Sequence, residues 1–205
     1  MFFFHTNKKT SNEHDATDLK SLDTPRGFWS DITVFALIVL LFVVPIRLFV
    51  AQPFIVNGSS MEPTFATGQY LIIDELTYRF GRPERGDVIV FNFPDDPKKF
   101  FIKRIIGLPG ETVAIQNGHV VITNAEHPDG IILQEPYLPT NTQLSESLSV
   151  TLGDHDYFVM GDNRNASFDS RAWGPLDQNL IVGRALLRLF PIQAIDVLPG
   201  DYVFP

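Results

Sequence analysis

Phe100-Phe101-Ile102-Lys103-Arg104-Ile105-Ile106, closed by Gly107-Leu108-Pro109-Gly110, is the stretch from which the fold can be read. Aromatic and β-branched residues run up to a Gly/Pro turn signal, which is the pattern of a strand. Strand alternation sends Phe101, Lys103 and Ile105 to one face and Ile102, Arg104 and Ile106 to the other. A lysine that shares a face with Phe and Ile loses water. Desolvation penalises the ammonium and lowers its pKa from about 10.4, toward a neutral base near physiological pH. The residues alone leave a second reading open, a lysine at a sheet edge whose stem lies on apolar surface while its head reaches solvent.

Outward from this strand, short apolar runs alternate with turn signals. Gln69–Ile73 and Asp87–Phe91 precede it, separated by Gly81-Arg82-Pro83-Glu84-Arg85-Gly86. Thr112–Ile115 and His119–Ile122 flank Asn117-Gly118, the strongest short hairpin signal. Tyr157–Met160 and a run from Leu180 to Leu187 complete the set. The expected fold is mainly β, with no internal repeat. From Ile105 to Asn163 there is no Lys or Arg, while Glu111, Glu126, Asp129, Glu135, Glu146, Asp154 and Asp156 fall inside. This acidic block reads as a solvated surface insertion; it has no EF-hand spacing and no metal site is expected in it.

Upstream, Ile32 to Val50 is apolar apart from Arg47. As a helix it would span roughly 28 Å, close to the hydrocarbon thickness of a bilayer. A core helix would be amphipathic, and this run is apolar all round. The residues after it, Phe49-Val50-Ala51-Gln52-Pro53, lack a small-x-small cleavage pattern, so an uncleaved single-pass anchor at 32–50 is expected. Residues 1–31 are polar and read as a mobile tail. Lys8, Lys9, Lys20 and Arg26 precede the span, which places the N-terminus in the cytoplasm and residues 51–205 outside, on a cell membrane.

Composition narrows the chemistry. The chain has 205 residues, 44% hydrophobic and 20% charged, ordinary for a globular protein. Its net charge of −8 counts against a nucleic-acid binder. It has no cysteine, which removes disulfides, thiol catalysis and Cys-ligated zinc. Nucleophiles are therefore Ser, Thr or Lys. His5 and His14 lie in the tail. His119, His127 and His155 lie in the acidic block, where they read as surface residues, so a Ser-His-Asp triad is not supported. Outside the tail the only lysines are Lys98, Lys99 and Lys103. The first two follow Asp95-Asp96-Pro97, read as a turn, and are expected to be hydrated.

Four blocks, in order behind the apolar span, resemble the type I signal peptidases, serine proteases that use a Ser–Lys dyad. Gly58-Ser59-Ser60-Met61-Glu62-Pro63-Thr64 is similar to the nucleophile block. Gly86-Asp87-Val88-Ile89-Val90-Phe91 is similar to the strand block after it. Lys103 to Glu111 resembles the block that carries the base, and Gly161 to Arg171 resembles the last block. The resemblance implies Ser60 as nucleophile and Lys103 as general base. It implies the backbone N–H of Ser60 in the oxyanion hole, Ser167 orienting Lys103, and Asp169 with Arg171 as a supporting ion pair. Some relatives add a serine hydroxyl two residues before the nucleophile, where this chain has Gly58. The last block here carries Asn165-Ala166 in place of Asp-Asn, and the base block ends in Glu111 in place of Asp. By the same resemblance Phe54, Val56, Met61, Phe65, Phe101 and Ile102 line shallow substrate pockets, and the β core carries a β insertion at about 111–158.

The function this implies is removal of N-terminal signal peptides from exported preproteins, by a membrane-held monomer without metal or cofactor. Its partners would be signal peptides and the lipid bilayer, with no nucleic acid. Two other readings stand beside it. One is a related Ser–Lys processing protease with a narrower substrate set; a self-cleaving repressor would need a DNA-binding domain that 31 polar residues cannot supply. The other is an anchored binding domain without catalysis, which would have no need to keep Ser60 and Lys103.

Overall fold

The structure, a computed structural model, describes residues 26–43, 51–140, 142 and 144–204. The chain forms two units, one ending at Val43 and the other beginning at Val44. In the first, helix α1 (Arg26–Ile38) continues as a π-helical turn over Val39–Val43. Ser30 Oγ donates to the Gly27 carbonyl at 2.8 Å and Thr33 Oγ1 to that of Trp29 at 2.7 Å. The helix thus begins ahead of Ile32, and residues 26–31, read as tail, are its first turns. Hydropathy locates the apolar part of a helix but not its polar end; the signal for the start is Pro25, tolerated at a helix N-terminus and not inside one. Among the described residues no helix is long and apolar enough to cross a membrane. Residues 1–25 of the expected tail and 44–50 of the expected anchor lie outside the described residues.

The second unit is mainly β, as expected. Its strands are β1 (Ala51–Ile55), β2 (Tyr70–Asp74), β3 (Val88–Phe93), β4 (Asp96–Gly107), β5 (Thr112–Gln116), β6 (His119–Thr123), β7 (Ile131–Ile132), β8 (Leu148–Thr151), β9 (Asp156–Met160), β10 (Leu176–Asp177), β11 (Ile181–Phe190) and β12 (Asp196–Val197). Two one-turn helices, α2 (Thr77–Phe80) and α3 (Ser170–Trp173), punctuate them. One sheet runs β1-β2-β11-β3-β4-β9-β10, with β12 paired to β11. The other runs β7-β6-β5-β8 and takes in residues 112–151. The insertion expected at about 111–158 contains this second sheet, and its last residues, 156–158, belong to β9 of the first.

Local chemistry explains the key elements. Asn117 and Gly118 both take positive φ, 50° and 80°, and close the β5–β6 hairpin with Gln116 opposite His119. That is the backbone a two-residue hairpin turn demands. Pro53 lies in β1, at the edge of its sheet, where a missing N–H breaks no ladder. β4 begins at Asp96, earlier than Phe100, because the β3–β4 turn is made by Pro94 and Asp95. Lys98 and Lys99 therefore sit on an exposed strand end rather than in a turn; they are solvated all the same, and Lys99 pairs with Asp96 at 3.1 Å.

Alternation along β4 divides the core. Phe101 and Ile105 pack with Ile89, Phe91, Tyr157, Val159 and Leu176. Ile102 packs on the cluster of Val56, Met61, Phe65, Leu71, Ile73, Val88 and Val90. A third cluster joins the two sheets, with Ile106, Phe158 and Met160 from the first against Val113, Ile115, Val120, Ile122, Leu133, Leu144 and Leu152 around the second. Phe158 is fully buried at this junction. Phe158→Ala should cost about 3–5 kcal/mol, since the cavity it leaves is walled by both sheets. Thermal unfolding should show one transition at lower temperature; two separated transitions would mean that the sheets do not share a core.

Candidate active site

β4 carries Lys103 into the middle of the first sheet, with β3 on one side, where Ile89 lies opposite Lys103, and β9 on the other. The Lys103 side chain is 4% exposed. Its Nζ lies 2.8 Å from Ser60 Oγ and 2.8 Å from the Ile102 carbonyl oxygen. The Phe101 ring is 5.4 Å away. Burial pulls the lysine pKa down to about 8, and the carboxylates of Asp169 and Asp162 recover only part of that drop. The amine is thus poised to exchange a proton with a hydroxyl already at hydrogen-bond distance.

Ser60 sits in the loop between β1 and β2. Glu62 N donates to the Ser59 carbonyl at 3.1 Å, and Phe65 N to that of Met61 at 2.8 Å, so the chain coils just after Ser60. A second segment grips it from outside. Asn163 N donates to the Ser60 carbonyl at 3.0 Å, and Asn163 Nδ2 to that of Ser59 at 3.1 Å. Gly161, next to that contact, has no room for a side chain: a Cβ would fall 2.3 Å from Ser167 Oγ and 2.4 Å from the Ser60 carbonyl oxygen. Asp169 accepts from the Gly161 N–H at 3.0 Å and pairs with Arg171 at 2.8 and 2.9 Å. Burial pushes the Asp169 carboxyl up, and Arg171 with the Gly161 N–H overrules it, leaving it below the usual carboxylate range.

The residues singled out in the sequence meet here with two exceptions. Ser60, Lys103, Ser167, Asp169 and Arg171 belong to one neighbourhood. Ser167 Oγ, however, makes no hydrogen bond to Lys103; it is a buried hydroxyl that helps hold the Asp169 carboxyl down. Lys103 already spends its contacts on Ser60 and its own strand backbone. The other exception concerns the pocket. A cavity of about 330 Å³ opens at Ser60 and Lys103, and Phe54, Val56, Phe101 and Ile102 line it, together with Leu71, Val90, Ala166 and Phe168. Met61 and Phe65 do not. Both are fully buried, because the coil after Ser60 turns them into the core behind the cavity wall. Phe65 is thus a core residue and not a gate for substrate.

Sequence reasoning missed the frame behind the site. Arg104, fully buried, donates to Asp162 at 2.8 and 2.6 Å, to the Gly86 carbonyl at 2.8 Å and to that of Gly200. Asp162 also accepts from Thr64 Oγ1 at 2.5 Å. The available signal was Arg104 itself, since an arginine flanked by isoleucines in a central strand must be matched by a carboxylate. The two departures from the family pattern find local roles. Glu111 accepts from Arg85 at 2.6 Å, Asn124 at 2.9 Å and the Leu108 N–H at 2.9 Å. Ala166 N donates to the Asn163 carbonyl at 3.1 Å, so Asn163 does the gripping while Ala166 faces the cavity. Among the described residues no group of His, Cys, Asp and Glu could hold a metal ion.

A methyl group at Gly161 cannot be accommodated without moving the Ser60 carbonyl. Gly161→Ala should therefore lower kcat by about 10²-fold, the scale expected for a displacement of about 1 Å at a reacting group. Steady-state kinetics beside a melting curve check this. A variant that melts early but turns over normally would show that the contact holds the fold and not the serine.

Comparison with known proteins places the chain in a family. A sequence model of the family described as signal peptidase, peptidase S26 matches residues 29–190. A probable signal peptidase I-2 of Synechocystis sp. is 36% identical over 94% of this chain and 87% of its own length. A probable signal peptidase I-1 of the same organism is 38% identical over 89% and 93%. Signal peptidase I T of Bacillus subtilis is 35% identical over 92% and 96%. With the family match covering most of the chain and relatives of this identity spanning nearly all of it, the chain belongs to the signal peptidase, peptidase S26 family.

Proposed function

We propose that this chain is a membrane-anchored signal peptidase I that cuts N-terminal signal peptides from exported preproteins, with Ser60 as nucleophile and Lys103 as general base. The observation that carries the reading is the 2.8 Å approach of a buried, desolvated lysine amine to a serine hydroxyl at the mouth of an apolar cavity. Neutral Lys103 takes the Ser60 proton as Oγ attacks the scissile carbonyl. The tetrahedral oxyanion is met by the Ser60 N–H, which donates to no protein acceptor among the described residues. Position 58 is glycine, which has no hydroxyl to offer, so the donor here comes from the backbone. Lys103 then returns its proton to the leaving amine, and a water molecule activated by the same amine releases the acyl group. The cavity walls are apolar and close to Ser60, which suits a small residue such as Ala or Gly immediately before the cut.

The apolar run from Ile32 to Val50 is the anchor, residues 1–31 face the cytoplasm and residues 51–205 work outside as a monomer. The basic residues ahead of the run support this orientation. Protease added to spheroplasts should degrade the β domain and spare the tail; loss of the tail alone would reverse the topology.

The chemistry is tested on a purified preprotein in detergent. Ser60→Ala and Lys103→Ala should each lower turnover by at least about 10³-fold in a folded protein. Lys103→Arg should fail too, because a guanidinium stays charged and cannot accept the proton. Lys98→Ala and Lys99→Ala should leave turnover unchanged. The base works only when neutral, so wild-type turnover should climb about tenfold per pH unit below the midpoint and level off above about pH 8. Cleavage that survives in Ser60→Ala would remove the assignment.

A further inference from the structure

The loop between β7 and β8 reaches back from the second sheet and touches the frame around Ser60. Its Glu135 carboxylate takes both terminal nitrogens of Arg164, Nη1 at 2.9 Å and Nη2 more closely. The Arg164 side chain is 1% exposed, and among the described residues this is its only ion pair. Arg164 Nε in turn donates to the Gly161 carbonyl at 3.1 Å. Tyr137, in the same loop, donates its hydroxyl to Glu135 Oε1 at 2.7 Å and lays its ring 4.0 Å from the guanidinium carbon of Arg104. Two buried arginines thus meet one loop. Arg164 fixes Gly161, whose neighbour Asn163 holds the Ser59 and Ser60 carbonyls. Arg104 fixes Asp162, which holds Thr64 just beyond Ser60.

We propose that Glu135 is a positioning residue for Ser60, through which the second sheet sets the geometry of the reacting serine. The proposal rests on the reading of Ser60 as nucleophile. A planar carboxylate gripping a guanidinium through both terminal nitrogens fixes the orientation of the whole arginine head. That orientation aims Nε at Gly161 and so sets the turn from Gly161 to Asn163. Without the carboxylate, a buried guanidinium must find another acceptor, and its turn moves with it. The acidic block is therefore more than a solvated surface, since one of its acids acts on the site from inside.

The test separates positioning from simple stability. Glu135→Gln leaves an unpaired buried cation; it should lower the melting temperature and cut kcat by roughly tenfold or more, with KM within about twofold. Glu135→Gln with Arg164→Met removes the stranded charge while the glutamine still accepts from Tyr137. This double variant should recover melting temperature, because no buried charge is left unpaired. Its kcat should stay low, because the Gly161 carbonyl has lost its donor. Hydrogen exchange at the Asn163 amide, which reports the contact with the Ser60 carbonyl directly, should be faster than wild type in both variants. This readout does not depend on cleavage, so it judges the positioning even if the Ser60→Ala control undermines the assigned chemistry. Wild-type kcat and exchange in Glu135→Gln, or recovery of kcat and exchange in step with melting temperature in the double variant, would overturn the proposal.

Discussion

Burial of one primary amine is the constraint on which the rest of this structure depends. Lys103 sits in a central strand with 4% of its surface exposed, its head bounded by Phe101, the Ile102 carbonyl and Ser60. Leaving it charged there costs desolvation energy, and leaving it neutral makes it a base. The two nearby carboxylates, Asp162 and Asp169, act against that drop. Each is already committed elsewhere, Asp162 to Arg104 and Asp169 to Arg171. Their pairing leaves Lys103 without a carboxylate of its own, and so keeps its pKa low enough to be useful.

The serine side of the site is held through its backbone carbonyls, by one backbone and one side-chain donor of Asn163. The Ser59 and Ser60 carbonyls are both taken by Asn163, and Gly161 lies close enough that no side chain fits between them. A hydroxyl presented from a loop would otherwise sample several positions. Here the last sequence block acts as a brace, tied by Asp169 to its own short helix and by Arg164 to the second sheet. Rigidity at this loop costs nothing at the moment of reaction, which is the advantage of a preorganised site.

Much of this was legible in the sequence, for reasons that can be named. The run from Phe100 to Ile106 alternates strictly, so the placement of Phe101 and Ile105 against one cluster and Ile102 against another follows from a period of two. Asn117-Gly118 could only be a tight hairpin. The neighbours of Lys103 allowed a low pKa but left open a solvated lysine at a sheet edge; its burial in a central strand decides between the two. What stayed hidden depended on contacts far apart in the chain. β7, β10 and β12 are two residues each and exist only through their partners. Met61 and Phe65 flank Ser60 in sequence, yet the coil between them turns both inward. Ser167 lies in the matching block, but Lys103 makes no hydrogen bond to it. The match between Arg104 and Asp162 spans 58 positions and no local pattern announces it.

The ionisation state of Lys103 is the claim from which the mechanism follows, and it can be measured without any substrate. Titration of the full chain in detergent, with isotope-labelled lysine followed by NMR, would resolve Lys103 from the exposed Lys98 and Lys99. The account predicts a midpoint of about 8 for Lys103, lost in Lys103→Arg. A midpoint near the ordinary value of 10.5 would contradict it, because the neutral fraction able to take the proton from Ser60 would then be roughly 10²-fold smaller at and below pH 8.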